Sequence, residues 1–349
     1  MNRDPATELE DLALRLLAIP SVIEHEAEIA DFCHAWLEEK KVHGLTRAGD
    51  NIACQPRPFR DDVPRVLLLG HLDTVPASDE NLPRLEGERI FGLGSSDMKC
   101  ADALILYLVA KALERAPRYD LSVVLYAREE GPYEGSGLPE IMAAAPGSFQ
   151  GVNLAVAMEP TGNCIELGCL GTLHARVRLL GKRAHSGRPW EGENAIHLAA
   201  PLLGRLASLE PRDVNFEGLL FRESCSATMI EYQGARNVVP ESCTVNVNFR
   251  YGPDRAADEA IAWLEELVVE SSGRDLFEAG KLCIEIGDLC PSGRVPSENP
   301  LLESLRGLGT LPTKAKQAWT DVGRLSQMGL DAINFGPGLP SQAHQRGEY

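Results

Sequence analysis

The sequence predicts an α/β fold in which a mostly parallel sheet covered by helices is interrupted by an inserted α+β module. In the first half of the chain, short apolar runs alternate with amphipathic stretches of helical period, which is the order of βαβ units. Near residue 173 the order changes to β-α-β-β-α-β, which is typical of a ferredoxin-like module. The first pattern returns after residue 289, so we expect the second domain to be inserted into the first.

The elements of the first half follow from hydrophobic spacing. Leu9, Leu12, Leu16 and Leu17 share one helical face, and residues 29–37 form a second apolar stripe. The run RVLLLG (65–70) predicts a buried strand, because an apolar run without alternation is typical of a strand covered on both faces. Further along, the pattern predicts helices over 98–116 and 138–145 and strands over 121–127 and 153–158.

The second half is interpreted in the same way. Alternation over 173–180 predicts a half-buried strand. The following predictions are helices over 195–207 and 256–270, strands over 227–232, 243–251 and 281–286, and, after the turn-rich PSGRVPSENP, a helix and strands over 315–319 and 331–335. We therefore assign residues 1–172 and 289–349 to one domain and residues 173–288 to the inserted one.

Length and composition limit the possible functions. A chain of 349 residues predicts two domains, and 44% hydrophobic with 24% charged residues is typical of a soluble globular protein. The 34 basic and 51 acidic residues give a net charge of −17, which argues against a nucleic-acid or membrane-surface partner. The acidic N-terminus has no apolar signal core, no run is long enough to span a bilayer, and the nine cysteines form no CxxC pair. We expect a cytoplasmic protein with reduced thiols.

Most of the informative polar residues follow directly after predicted strands. They are His71 with Asp73, Glu129 with Glu130, Glu159, and, in loops, Asp97 and His344. Each has an ordinary alternative: Asp97 could cap the helix after it, the glutamates could lie in surface turns, and His344 could be an exposed loop residue. In parallel sheets, however, chemistry gathers at the carboxyl ends of the strands. Two histidines and three carboxylates from five segments suit two zinc ions that share a bridging carboxylate.

Several motifs make the chain resemble a known family. They include GHLDTVP (70–76), GLGSSDMK (92–99), REEGPYEGSGL (128–138) and MEPT (158–161). With these and further segments, nearly the whole sequence resembles the zinc aminoacylase/carboxypeptidase family of two-metal amidohydrolases. The resemblance implies a zinc-peptidase-like catalytic domain with an inserted ferredoxin-like lid and dimerisation domain.

The resemblance also implies the metal ligands. Asp97 bridges two zinc ions, His71 and Glu159 complete one site, and Glu130 and His344 complete the other. Cobalt or manganese in one of the sites is the alternative to zinc.

Further roles follow from the same resemblance. Glu129 is the general base, Asp73 orients His71, and a cis peptide bond follows Asp97. His185 donates to the oxyanion, reaching the site from a partner subunit, which implies a homodimer formed through the lid. Without the resemblance, His185 would be interpreted as a surface histidine.

The implied substrate is a small N-acyl amino acid. Within the family, the sequence is most similar to the branch that hydrolyses N-succinyl-LL-2,6-diaminopimelate to succinate and LL-2,6-diaminopimelate. The alternatives are an acetylornithine deacetylase, an aminoacylase, a dipeptidase, or a relative that binds ligand without catalysis. Candidate anchors for the substrate carboxylates are Arg188, Asn237, Arg250 and Thr320, although both arginines could simply be solvated.

Three features depart from the family pattern. Gly168–Gly171 stands where an arginine is common, so Arg188 is a candidate substitute. Cys100 replaces a small residue next to DMK, and we expect it to pack in the first helical turn rather than bind metal. The family normally continues with a further helix after the position of His344, so we expect either a shortened sequence or a histidine held by fewer contacts.

Overall fold

The structure is a computed structural model that describes residues 4–77 and 81–349. It divides into two compact units. The first unit contains the chain up to Gly168 together with Arg294–Lys314 and Leu325–Tyr349, and the second unit contains Cys169–Gly293 and Ala315–Arg324. Along the chain, the second unit therefore consists of two stretches that interrupt the first unit.

The elements alternate through the first 168 residues. They are α1 (Pro5–Leu17), α2 (Ala27–Glu39), β1 (His43–Ala48), β2 (Asn51–Gln55), β3 (Arg65–His71), β4 (Arg84–Glu86), β5 (Arg89–Phe91), α3 (Lys99–Glu114), β6 (Asp120–Tyr126), α4 (Leu138–Ala144), β7 (Val152–Ala157) and β8 (Ile165–Leu167).

The second unit and the return of the chain supply the rest. They are β9 (Gly171–Leu180), β10 (Ala184–His185), α5 (Ala195–Ala207), β11 (Arg212–Phe216), β12 (Leu219–Glu231), β13 (Val238–Val239), β14 (Ser242–Tyr251), α6 (Ala257–Ser272), α7 (Arg274–Glu278), β15 (Leu282–Cys290), α8 (Pro300–Arg306), β16 (Thr313–Ala315), α9 (Val322–Gln327) and β17 (Ala332–Asn334).

An eight-stranded sheet with the order β1-β2-β6-β3-β7-β17-β8-β16 forms the centre of the first unit. Its four inner strands are parallel: β3 pairs with β6 and β7, and β17 pairs with β7. Strand β3 is central, and Leu67–His71 are buried, as the unbroken apolar run predicts. This sheet confirms the predicted α/β class. Because β3, β6 and β7 run in one direction, the residues that follow them meet at one edge.

The second unit has a five-stranded antiparallel sheet with the order β11-β12-β14-β9-β15. Alternate residues of β9 and β14, such as Val177 and Val245, are fully buried in a core that also contains Leu202 of α5 and Leu264 of α6. The order of the main elements is the predicted β-α-β-β-α-β, and β11 is an additional strand at the edge.

One predicted strand is wrong. The pattern predicts a strand over 315–319, but the strand covers Thr313–Ala315 and the next residues have no ladder partner in the described part of the chain. Side chains hold this segment instead: Gln317 accepts from the Arg222 backbone N–H at 3.0 Å and donates to the Leu220 carbonyl at 2.8 Å. The indole N–H of Trp319 donates to the Pro291 carbonyl.

Short elements such as the β1–β2 pair, the β4–β5 hairpin and β8 were not predicted. Strands β4 and β8 have three residues each, too few to display a period. Among the helices of the described residues, none combines the length and the apolarity that crossing a bilayer requires.

Candidate metal centre and active site

Four segments of the first unit converge beyond the carboxyl ends of its parallel strands. His71 is the last residue of β3, Glu129 and Glu130 follow β6, and Glu159 follows β7. Asp97 precedes α3. The loop after β17 brings His344 to the same place, with its Nε2 3.5 Å from Asp97 Oδ2.

Three groups of residues offer ligands for a metal ion, and within each group the potential ligand atoms lie within 4.8 Å of one another. They are His71–Asp97–Glu159, Asp97–Glu130–His344 and His71–Glu129–Glu130. Asp97 belongs to the first two groups, so its carboxylate lies between the two histidines. The structure therefore brings together the five predicted ligands and the predicted base.

His71 belongs to the buried half of this cluster. Its side chain is 1% exposed, and Nε2 lies 3.1 Å from Asp97 Oδ1. Nδ1 lies 3.1 Å from the carbonyl oxygen of Asp73 and 3.5 Å from Asp73 Oδ1. Burial lowers the pKa of His71, but the hydrogen bonds to Asp73 and Asp97 outweigh burial and raise it well above its usual value.

Asp73 also accepts hydrogen bonds from the backbone of the segment that carries the two glutamates. Its Oδ1 accepts from the backbone N–H of Glu129 at 3.0 Å, and its Oδ2 accepts from that of Glu130 at 2.9 Å. Burial raises the pKa of this carboxyl, but the bonds from His71 and from the two amides lower it overall. Asp73 thus fixes both the imidazole and the turn that carries the two glutamates.

His344 belongs to the open half. Its side chain is 47% exposed, and Nε2 lies 2.8 Å from Glu130 Oε1 and 3.5 Å from Asp97 Oδ2. The hydrogen bond to Glu130 raises its pKa. The loop leading to His344 passes close to Glu159, where a Cβ on Gly336 would lie 2.3 Å from the carbonyl oxygen of Met158, so only glycine fits there.

The segment around Asp97 is a tight loop that ends in α3. The Asp97–Met98 peptide bond is cis, as the resemblance implies. Helix α3 begins at Lys99 with Met98 in the N-cap position and no side-chain capping bond, so Asp97 is not the cap of this helix. Its carboxylate is available to the cluster instead.

Two buried carboxylates near the cluster were missed from the sequence. Glu348 is 1% exposed and accepts hydrogen bonds from three backbone amides of the Asp97 loop. Glu26 is also 1% exposed and accepts from the backbone N–H of Arg128, directly before Glu129. Neither residue directly follows a predicted strand, so the pattern that points to the other candidates gives no signal for them.

The residues present fit divalent cations. Two imidazoles and several carboxylates within ligand distance form a nitrogen and oxygen donor set that suits zinc and similar ions, and the shared Asp97 suits a pair of them. Cys100 is not among the three groups found in the described residues, and burial raises the pKa of its thiol to about 12, so it remains protonated.

The other predicted site residues lie in the second unit. His185, Arg188 and Asn237 are exposed and close in the fold, because β10 pairs with β13 and the Ser186 N–H donates to the Asn237 carbonyl at 2.9 Å. His185 Nδ1 accepts from the Gly187 N–H at 3.0 Å, and Arg188 lies 3.7 Å from Glu191.

Arg250 and Thr320 lie elsewhere in the second unit. Arg250, on β14, donates to Thr172 at 2.5 Å and to Asn248 at 3.2 Å. Thr320 is 2% exposed, and its carbonyl accepts from the Cys169 thiol. Arg250 is thus preorganised by two polar neighbours, whereas the guanidinium of Arg188 is exposed and forms a surface ion pair.

Comparison with known proteins places these features in a family. Residues 168–275 match the model of the peptidase dimerisation domain. The chain is 37% identical to the putative succinyl-diaminopimelate desuccinylase of Mycobacterium tuberculosis, over 97% of this chain and 92% of that protein. It is 36% identical to the succinyl-diaminopimelate desuccinylase of Corynebacterium glutamicum, over 97% and 90%.

Solved structures support the same fold. A tripeptidase from Staphylococcus aureus superimposes with a TM-score of 0.79 at 18% identity, covering 98% of this chain and 92% of that one. A dinuclear metal-binding peptidase of the M20 family from Bacillus subtilis superimposes with a TM-score of 0.69 at 14% identity, covering 96% and 89%.

Proposed function

The chain belongs to the M20 peptidase family, whose members hydrolyse amides, and from this premise we propose that it cleaves N-succinyl-LL-2,6-diaminopimelate to succinate and LL-2,6-diaminopimelate. The observation that carries the proposal is the carboxylate of Asp97, shared by two ligand groups with Glu129 beside them. The two relatives above, which bear the desuccinylase name, support the choice of acyl group.

We assign two zinc ions to the cluster. His71, Asp97 and Glu159 would hold one, and Asp97, Glu130 and His344 the other. When bound, such a pair supplies a Lewis acid for the amide carbonyl and makes water a stronger nucleophile at neutral pH. The assignment predicts that His344→Ala lowers occupancy at one site only. Elemental analysis that finds two ions in this variant would contradict it.

Glu129 is assigned as the general base. It takes a proton from the attacking water while the water oxygen bonds to the succinyl carbonyl carbon. It then gives the proton to the diaminopimelate nitrogen as the C–N bond breaks. Asp73 supports this role because it holds the backbone amides of Glu129 and Glu130 and so limits where the carboxylate can move.

His185 is assigned as the donor to the oxyanion. Its Nδ1 accepts a hydrogen bond from the Gly187 N–H, so in the neutral ring the proton sits on Nε2. Nε2–H is then the group that can donate. We propose that this donor reaches the site from the partner subunit of a homodimer.

The proposed dimer forms through the second unit. Among the described residues, β11 pairs with β12 only at Leu219–Glu223, which leaves the rest of that edge of β12 open. Met229 and Ile230 on this part of β12 are 57% and 54% exposed. An open strand edge with apolar side chains favours pairing with a second chain, and the match to a dimerisation domain supports a copy of the same chain as the partner.

We further propose Arg188, Asn237, Arg250 and Thr320 as contacts for the substrate. Diaminopimelate and succinate both carry carboxylates, which arginine binds through paired hydrogen bonds. The preorganised Arg250 is the stronger candidate of the two arginines.

The test is direct turnover by the zinc-loaded protein. We expect succinate release from N-succinyl-LL-2,6-diaminopimelate, with a kcat/KM well above that for N-acetylornithine and for dipeptides. A preference for N-acetylornithine or a dipeptide would move the protein to another branch of the family. No turnover of any of them by protein that holds both ions would contradict an enzymatic role for this set of substrates.

A further inference from the structure

The Glu348 carboxylate closes the loop that carries Asp97. Oε1 accepts from the backbone N–H of Ser96 at 2.8 Å and of Asp97 at 3.0 Å, and Oε2 accepts from that of Gly94 at 3.1 Å. Three amides that point at one carboxylate form an anion-binding concavity of the kind that successive backbone N–H groups make in tight turns. The glutamate fills this concavity from a position about 250 residues away along the chain.

The loop before Asp97 depends on this acceptor, because the N–H groups of Gly94, Ser96 and Asp97 all point towards the Glu348 carboxylate. Gly94 has a φ of 85°, a conformation that side chains disfavour, and a Cβ there would lie 3.0 Å from Thr74 and 3.2 Å from Lys99. Buried N–H groups without an acceptor are costly. Glu348 supplies acceptors for all three.

Further hydrogen bonds join the loop before Asp97 to the C-terminal segment that contains Glu348. The Gly92 N–H donates to the Glu348 carbonyl at 3.2 Å, and the Ser96 hydroxyl donates to the Tyr349 carbonyl at 2.7 Å. The Ser96 hydroxyl in turn accepts from the Leu339 N–H at 3.2 Å. The segment from Leu339 to Tyr349 is thus docked on the Asp97 loop from both of its ends.

This docked segment carries His344. The imidazole lies 3.5 Å from Asp97 Oδ2, so the positions of Asp97 and His344 depend on the same attachment. Glu348 itself is in none of the ligand groups of the described residues, since its oxygens are directed at backbone amides.

We propose that Glu348 is a positioning residue that sets the distance between Asp97 and His344 and thereby preorganises the exposed half of the metal centre. The inference rests on the proposed function, because it treats both residues as ligands. Groups that orient metal ligands typically change metal affinity or activity by about 10–100-fold when they are altered.

The test uses Glu348→Gln, which places an NH₂ donor where one of the carboxylate oxygens accepts. Glu298→Gln is the matched control, because it makes the same chemical change at an exposed position of the first unit. Metal-free proteins are titrated with Zn²⁺ by calorimetry, and the visible absorption of bound Co²⁺ reports the coordination geometry. Neither measurement needs substrate.

We expect Glu348→Gln to bind the second ion, the one held by Asp97, Glu130 and His344, about 10–100-fold more weakly. The spectrum of its bound Co²⁺ should differ from that of the wild type, while Glu298→Gln should match the wild type in both measurements. Two-ion binding with wild-type affinity and an unchanged spectrum would overturn the inference. If Glu348→Gln does not fold, Glu348→Asp decides, since it keeps the charge but is one methylene shorter. Weakened binding of the second ion supports the proposal, and wild-type affinity overturns it.

The outcome is separable from that of the proposed function. A wild-type protein that binds two ions but releases no succinate would refute the proposed reaction and leave the role of Glu348 standing. An active desuccinylase whose Glu348→Gln variant binds both ions normally would refute only the role of Glu348.

Discussion

The buried carboxylates beside the metal cluster and a buried carboxylate of the second unit are held in different ways. In the first unit, Asp73 and Glu348 accept hydrogen bonds from backbone amides. In the second unit, Glu223 has a side chain that is 4% exposed and lies 2.6 Å from Arg212 and 3.2 Å from Arg255, with a further bond from the Gly252 N–H.

This difference distinguishes carboxylates that support a metal site from a carboxylate that stabilises the fold. Backbone amides satisfy the oxygen atoms of a carboxylate but carry no net charge, so the negative potential around the cluster remains available to cations. The positive charges of Arg212 and Arg255 neutralise the negative charge of Glu223, so this carboxylate does not attract a cation. Each prediction below changes one side of this comparison and should leave the other side unaffected.

The largest effect is expected for Glu129→Gln. If Glu129 moves the proton and the other carboxylates bind or position, kcat for the desuccinylation falls by about 10²–10⁴-fold or more while both ions stay bound. Steady-state kinetics together with elemental analysis check this. A variant that loses its metal along with its rate would place Glu129 among the ligands instead.

A smaller effect is expected for Asp73→Asn. The amide group offers one acceptor and one donor, so one of the N–H groups of Glu129 and Glu130 then faces a donor. We expect metal affinity or kcat/KM to fall by about 10–100-fold, as for other residues that orient ligands. Unchanged metal titration and kinetics would show that the turn is held well enough without this carboxylate.

Glu223→Gln should act on stability and not on metal. Removing the charge leaves Arg212 and Arg255 without their carboxylate, and we expect the free energy of unfolding of the second unit to fall by about 1–3 kcal/mol. Hydrogen exchange of β12 and β14 amides measures this unit separately. Weaker zinc binding in this variant, with the second unit still folded, would break the division between site and scaffold.

The smallest effect concerns pH. Burial raises the pKa of Glu223, but the bonds from Arg212, Arg255 and Gly252 outweigh it and lower the pKa overall. A carboxyl with a lowered pKa stabilises the fold above its unfolded value of about 4.3 and loses that contribution as pH falls through the folded value. The second unit should therefore lose stability in acid below about pH 4.3, and Glu223→Gln should lack this part of the acid response. Identical acid profiles of the two proteins would contradict it.

Much of the candidate site follows from strand ends. An apolar run such as RVLLLG marks where a buried strand stops, and His71 and Asp73 come next in the sequence. Parallel order then places them beside the residues that follow β6 and β7. The grouping of His71, Glu130 and Glu159 at one edge could therefore be predicted from the sequence without coordinates.

The supporting groups could not be predicted in this way. Glu348 contacts Gly94, Ser96 and Asp97 through their backbone amides, and amide direction depends on dihedral angles that spacing does not encode. The bonds from the Glu129 and Glu130 amides to Asp73 could not be predicted for the same reason. The sequence suggests only that Asp73 orients the imidazole of His71. Ligand types are visible in a sequence, whereas the bonds that aim them appear only with the fold.

The place of β17 in the large sheet has a consequence for synthesis in the cell. This strand lies between β7 and β8, yet residues 332–334 are translated long after β8 ends at residue 167. At about 5–20 residues per second, the ribosome needs roughly 10–30 s to cover that interval. During this time the outer edge of β7 has no partner strand, and an open edge of apolar residues invites pairing with other chains. We therefore expect this edge of β7 to stay exposed on the nascent chain until β17 has been made and pairs with it.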